Sequence, residues 1–253
     1  YQKGEYTIEG ALPPDVEDLT AFADTVAAAR DADAVIAVVG LSPEMEGEQG
    51  DGNERTKLAI PRVQEKLLEA LFSAGTPVVL VLLGGSPMAI GPLADKAAAV
   101  LIGWYPGGEG GAAIADVIFG DENPAGRLPV TFYASESQLP DFRDYRMKGR
   151  TYRYFDGAPL WPFGFGLSYT TFGYTDLRVE TPAPAPGDPV NVSVTVKNTG
   201  AQAGDEVVQL YVTNETATVP VPIRQLAGFA RVRLAPGAAR TVGFTIRPEH
   251  LSV

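Results

Sequence analysis

Apolar positions along the 253-residue chain fall into two regimes. Up to about residue 168, short uninterrupted apolar runs alternate with stretches whose apolar residues recur every three or four positions. Ala34–Val39, Val78–Leu83 and Ala97–Trp104 are the continuous runs, with the length and β-branched content of buried strands. Between them, Phe22, Val26 and Ala29 share one face of a helix expected over Leu19–Arg30. Val63, Leu67, Leu68, Leu71 and Phe72 mark a second helix, with Pro61 suited to its first turn and Gly75 to its end. A short helix is expected around Leu93, a longer one over Gly108–Phe119 stopped by Gly120, and a short strand at Val130–Tyr133. Residues 1–20 are polar and irregular. Strands alternating with helices predict a mostly parallel sheet flanked by helices, and strands this uniformly apolar suit a sheet covered on both faces.

The period changes near Tyr169. A Pro-rich stretch, Thr181–Pro189, leads into Val190–Val196, where every second residue is apolar, and Asn198-Thr199-Gly200 closes that run as a turn. Val207–Val212, Phe229–Leu234 and Thr241–Ile246 follow, with a turn at Ala235-Pro236-Gly237. Period-two strands separated by turn signals predict a β-sandwich. About five strands in roughly 80 residues are short of the seven of an immunoglobulin-like sandwich. An open core edge is a liability, so the sandwich is expected to be completed by residues outside the chain.

Composition narrows the chemistry. A formal net charge of −11 argues against nucleic acid and anionic membrane surfaces as partners. There is no cysteine, which removes disulfides, thiolate metal sites and cysteine nucleophiles. The single histidine, His250, leaves no basis for Ser-His-Asp or multi-histidine metal chemistry elsewhere. No apolar run reaches the ~18 residues of a membrane span, and no leader is visible. The expectation is a soluble protein, secreted or cytoplasmic. The chain opens on Tyr1 rather than methionine, which reads as a fragment or a processed product.

The candidate chemistry sits in Gly40–Arg55, which leaves the C-terminal end of the first expected strand and carries Glu44, Glu46, Glu48, Asp51 and Glu54 between glycines. Ligands of open α/β sheets bind at that edge, and loops there carry function. Such a cluster suits general acid/base work, metal binding or a solvated loop. Calcium is disfavoured because the spacing is not that of an EF-hand. Gly107-Gly108-Glu109-Gly110-Gly111 could cradle a phosphate, but it lacks a P-loop lysine and Glu109 would repel an anion, so a tight turn before a helix is the better reading. Among the aromatics Tyr152, Tyr154, Phe155, Trp161, Phe163 and Phe165, a core role is favoured over sugar stacking, above all for Phe163, Phe165 and Tyr169. Trp104 and Tyr105 suit either role. Asn191-Val192-Ser193 and Asn214-Glu215-Thr216 match the glycosylation sequon and read as chance.

Four blocks in order resemble glycoside hydrolase family 3, the β-glucosidase and β-xylosidase family. They are Gly40-Leu41-Ser42-Pro43 with Glu46-Gly47-Glu48 and Arg55; Tyr105–Asp116 with its Pro-Gly-Gly-Glu-Gly-Gly start; Gly120–Phe132; and Pro162–Phe172. The resemblance covers nearly the whole chain. It implies an α/β sandwich domain over residues 1–168, partial at its N-terminus, followed by an all-β fibronectin-III-like sandwich domain over 169–253, truncated at its C-terminus. It also implies a retaining β-glycosidase acting on terminal β-linked sugars, without metal or organic cofactor. The (β/α)8 barrel that carries the family's aspartate nucleophile is not in this sequence, so the expected partner is a barrel on a second chain or on an omitted N-terminal part, and the isolated chain is expected to be inactive. By resemblance Glu48, the second glutamate of Glu-Gly-Glu, is the acid/base, with Glu46 the runner-up and Arg55 a loop-orienting residue. The competing readings are a non-catalytic carbohydrate-binding or assembly module, and a branch that takes its acid/base from a histidine-containing dyad on the barrel.

Overall fold

The computed structural model describes residues 19–47, 55–181, 183–185 and 187–251. These form two compact units. One holds the described residues up to Gly111 together with Tyr133–Glu136; the other holds Ala112–Phe132 and the described residues from Ser137 onward.

The first unit is built on a parallel three-stranded sheet of β1 (Val35–Gly40), β2 (Val78–Leu83) and β3 (Ala99–Trp104), in spatial order β1-β2-β3. After β1 comes the one-turn α2 (Pro43–Glu46). Helices α1 (Ala23–Arg30) and α3 (Arg62–Ser73) pack on one another, and α3 also packs on β1 and on the short α4 (Gly91–Ala94). The helical phase of the sequence is realised: Val26 and Ala29 of α1, with Phe22 at its N-cap, turn away from solvent, and Leu68, Ala70 and Leu71 are buried on α3. Pro61 stands at the N-cap of α3 rather than inside its first turn, and Gly75 follows its C-cap with φ of 83°. That left-handed turn suits glycine.

Central strand β2 is buried almost throughout, with Leu80, Val81 and Leu82 at 0% exposure, as its continuous apolar run predicts. Edge strand β1 departs from that expectation. Ala37 and Val39 are buried, but Ile36 and Val38 on its other face are 46% and 56% exposed. Pairing on one side and helix cover on one face are what an edge position provides.

Helix α5 (Gly110–Phe119) leads into the second unit and ends at Gly120, which has φ of 85°. The short strand expected at Val130–Tyr133 is reduced to a single antiparallel bridge between Phe132 and Trp161. Pro129 before the run has no N–H to donate, and both backbone bonds of Phe132 go to Trp161, at 2.9 and 3.2 Å. Phe132 is fully buried against that indole.

Beyond the one-turn α6 (Thr151–Tyr154), two antiparallel sheets follow. One has the order β4 (Phe172–Val179), β5 (Val190–Asn198), β8 (Ala239–Ile246); the other pairs β6 (Gly204–Val212) with β7 (Gln225–Leu234). Val196, Val208, Val232, Leu234 and Val242 form the core, with contributions from both sheets. Five strands among the described residues match the number expected, and the fold is the α/β sandwich followed by a fibronectin-III-like β-sandwich.

Of the aromatics, Tyr152 stacks on Phe163 with ring centroids 4.1 Å apart and meets Tyr211 edge-on, as a core role requires. Phe165 and Tyr169 correct the expectation, being 37% and 50% exposed. Tyr169 is held by its polar end, its hydroxyl donating to the Val117 carbonyl at 2.6 Å, which leaves the ring at the surface.

Candidate functional site

Parallel pairing brings the C-terminal ends of β1, β2 and β3 to one edge, so the segments leaving them meet there. Gly40 ends β1 opposite Leu83. Its φ is 143°, and a Cβ would lie 1.7 Å from the Leu83 carbonyl oxygen, so only glycine fits. Gln64 of α3 fixes the same residue by a two-point bond: the Gly40 N–H donates to Gln64 Oε1 at 2.8 Å, and Gln64 Nε2 donates to the Gly40 carbonyl at 2.9 Å. The chain then turns once through α2, whose N-cap Ser42 accepts weakly from the Met45 N–H at 3.4 Å. Gly47 closes the turn with φ of 72°.

This turn directs Glu46 inward. It is 5% exposed, and its carboxylate accepts hydrogen bonds from the Ser86 hydroxyl, the Tyr105 hydroxyl and, at 3.1 Å, the Gly85 N–H. Ser86 and Gly85 follow β2, and Tyr105 follows β3. Burial alone would push the Glu46 carboxyl up, but the donors Ser86, Tyr105 and Gly85, with the charge of Arg55, outweigh it and hold the group below its ordinary range. Desolvation, and donation to that carboxylate, push the Tyr105 phenol up to about 12. Gly85 makes the arrangement possible, since a Cβ there would stand 2.5 Å from the Tyr105 ring and 2.9 Å from Glu46 Oε2.

Arg55 lies at the far end of the acidic segment. Its N–H donates to the Glu46 carbonyl at 3.2 Å, so the two ends of the segment are joined through the backbone. Its guanidinium donates to Ser86 Oγ at 2.7 Å and to the Pro87 carbonyl at 2.6 Å, with a longer bond of 3.4 Å to the Leu58 carbonyl. Nearby, the Glu136 carboxylate accepts the Leu58 N–H at 2.6 Å, and its own backbone and that of Leu58 hold it below the usual range. Residues 48–54, including Glu48, Asp51 and Glu54, lie outside the described residues. Glu44 is at the surface of α2.

Sequence reasoning located the acidic segment and Arg55 but not Gly85, Ser86 or Tyr105 as partners of Glu46. The signals available were Gly84-Gly85 directly after an apolar strand and an aromatic pair at the end of another. Among the described residues no group of three or more Asp, Glu, His or Cys is placed to hold a metal ion, and no helix is long and apolar enough to cross a membrane.

A parallel sheet with an acidic segment at its carboxyl edge, followed in the same chain by a fibronectin-III-like sandwich, is the architecture that the resemblance to glycoside hydrolase family 3 implies. Comparison with known proteins gives the same class. Residues 4–169 match the glycosyl hydrolase family 3 C-terminal domain, and residues 206–253 match a fibronectin type III-like domain. The chain therefore belongs to glycosyl hydrolase family 3. It is 43% identical over 237 residues to a xylan 1,4-β-xylosidase of Xylanibacter ruminicola, covering 91% of this chain and 27% of that protein. It is also 43% identical over 240 residues to a periplasmic β-glucosidase of Salmonella typhimurium, covering 90% of this chain and 31% of the relative. The chain thus spans about a third or less of the length of these relatives. Among solved structures, a β-glucosidase from Erythrobacter marinus superposes with a TM-score of 0.80 at 38% identity, over 91% of this chain and 31% of that one. A family 3 β-glucosidase from Bifidobacterium adolescentis gives 0.82 at 32% identity, over 95% and 37%.

Proposed function

We propose that this chain supplies the acid/base carboxylate of a retaining β-glycosidase, with Glu48 in that role and an aspartate of a (β/α)8 barrel as nucleophile. In such a reaction the nucleophile attacks the anomeric carbon while the acid protonates the departing oxygen. The same residue, now a base, then takes a proton from the water that releases the sugar. Similarity to a β-xylosidase and to several β-glucosidases supports a terminal β-linked glucoside or xyloside as substrate.

The observation that carries the choice of carboxylate is the state of Glu46. A general acid must hold a proton near neutral pH and reach the leaving oxygen. The setting of Glu46 argues against that role: both its oxygens accept hydrogen bonds from protein donors, it is buried, and its carboxyl is held low. Glu48 is two residues further along the same segment and occupies the second glutamate of Glu-Gly-Glu. Arg55, bonded to the Ser86 and Pro87 side of the edge, orients the returning end of the segment. In this reading the two domains divide at residues 168 and 169. No metal or organic cofactor takes part, and the chain without its barrel is inactive because one carboxylate cannot run a double displacement.

The test is hydrolysis of p-nitrophenyl β-glucoside and β-xyloside by the chain alone and by the assembly that contains the barrel. Activity confined to the assembly is expected. Activity of the chain alone would exclude this role, and an assembly indifferent to Glu48→Gln would exclude it in favour of a carbohydrate-binding or assembly module.

A further inference from the structure

Glu46 stands where the exits of all three parallel strands meet. Its backbone continues β1 through the one-turn α2, where its N–H donates to the Ser42 carbonyl at 3.0 Å, and its carbonyl accepts the Arg55 N–H at 3.2 Å. Its side chain is bonded to Gly85 and Ser86 after β2 and to Tyr105 after β3. The Arg55 guanidinium shares Ser86 with Glu46, so both ends of the acidic segment are tied to the same hydroxyl. A buried carboxylate satisfied by three donors is an expensive way to stabilise a fold, because apolar packing of the same volume does as well. Where such a network is fully satisfied, it specifies one geometry.

We infer that Glu46 is a positioning residue for the acid/base: the Ser86–Glu46–Tyr105 clamp fixes the root of the segment from which Glu48 acts. This rests on the reading of Glu48 given above. Catalytic groups must be held within about 0.5 Å of their working geometry, and a shift of about 1 Å costs on the order of 100-fold in rate. Glu46, pinned to three strand ends, fixes the point from which the segment departs, two positions before Glu48 in the sequence. Gly85 and Gly40 serve the same end, one by leaving room for the carboxylate and the other by letting β1 turn into the segment.

The test uses the assembled glycosidase and two substrates of one sugar, the p-nitrophenyl and 2,4-dinitrophenyl β-glycosides. The first leaving group needs more help from a general acid than the second. Glu46→Gln is expected to lower kcat/KM for the p-nitrophenyl substrate by roughly 10- to 100-fold and to affect the dinitrophenyl substrate much less. Tyr105→Phe, which keeps the ring and two of the three donors to Glu46, is expected to show the same split more weakly, and it carries the test if the first variant does not fold. Glu48→Gln, run alongside, is expected to show the larger split together with rescue by azide. A split in Glu48→Gln but equal losses on both substrates in the clamp variants would mean that Glu46 only stabilises the fold, and would overturn the inference. A split with azide rescue in Glu46→Gln, and none in Glu48→Gln, would make Glu46 itself the acid/base and overturn both readings.

Discussion

A glutamate at 5% exposure stays ionised only if its surroundings replace the water it has lost, and Glu46 has its replacements in Ser86, Tyr105 and Gly85. Its carboxyl is held below the ordinary range, so it stabilises the fold fully at pH values above the unfolded value. That contribution is lost as pH falls through the lowered folded value. Glu46→Gln should therefore lower stability near neutral pH by about 1.5–3 kcal/mol and flatten the acid limb of the stability curve, as followed by denaturant titration between neutral and acid pH. A steeper acid limb would contradict the assignment. Gly40 is a second residue with no substitute: a Cβ 1.7 Å from the Leu83 carbonyl oxygen cannot be relieved by a side-chain rotation. Gly40→Ala should cost roughly 3 kcal/mol or more in the same measurement. At this scale the sequence displayed the acidic residues but not their partners. Ser86 and Tyr105 lie 40 and 59 positions from Glu46, and only the parallel register brings them to it.

Elements were legible where period and length agreed. The apolar run at β2 and the faces of α1 and α3 emerged as expected, since burial on both faces or one face leaves an unmistakable pattern. Strand β4 was not marked by its pattern, because from Tyr174 to Val179 its residues are exposed and no alternation is imposed. A bulge between Thr175 and Arg178, with Asp176 at φ of 53°, also interrupts the register. Tyr174 and Glu206 show what replaces apolar pairing there: the phenol donates to Glu206 Oε1 at 2.6 Å, and Arg127 bonds Oε2 at 2.7 Å. The end of β5 is fixed by a polar residue as well. Asn198 is fully buried; its Oδ1 accepts from Thr170 Oγ1 at 2.7 Å and the Gly200 N–H at 3.0 Å, and its Nδ2 donates to the carbonyls of Gln202 and Leu234. Asn198→Ala strands all of these groups and should cost about 3–4 kcal/mol, read as a lower denaturant midpoint at unchanged slope. A loss below about 1 kcal/mol would show that water replaces the amide.

For the molecule as a whole, the change from helical to period-two spacing in the sequence separates an α/β part from an all-β part. The order of four sequence blocks carried the family, which residues 4–169 then showed directly. The pattern placed the acidic segment at the sheet edge but could not supply which residues of the neighbouring strand exits meet Glu46, because that pairing is made by strand register rather than by local sequence. In the proposed mechanism this chain contributes one carboxylate, Glu48, to a sugar held by another domain. The most direct measurement is turnover of p-nitrophenyl β-glycoside by the barrel-containing assembly bearing Glu48→Gln, with and without azide. The account predicts a fall in turnover of roughly 100- to 10,000-fold, recovered in part by azide with formation of a β-glycosyl azide. Unchanged turnover with no response to azide would contradict it.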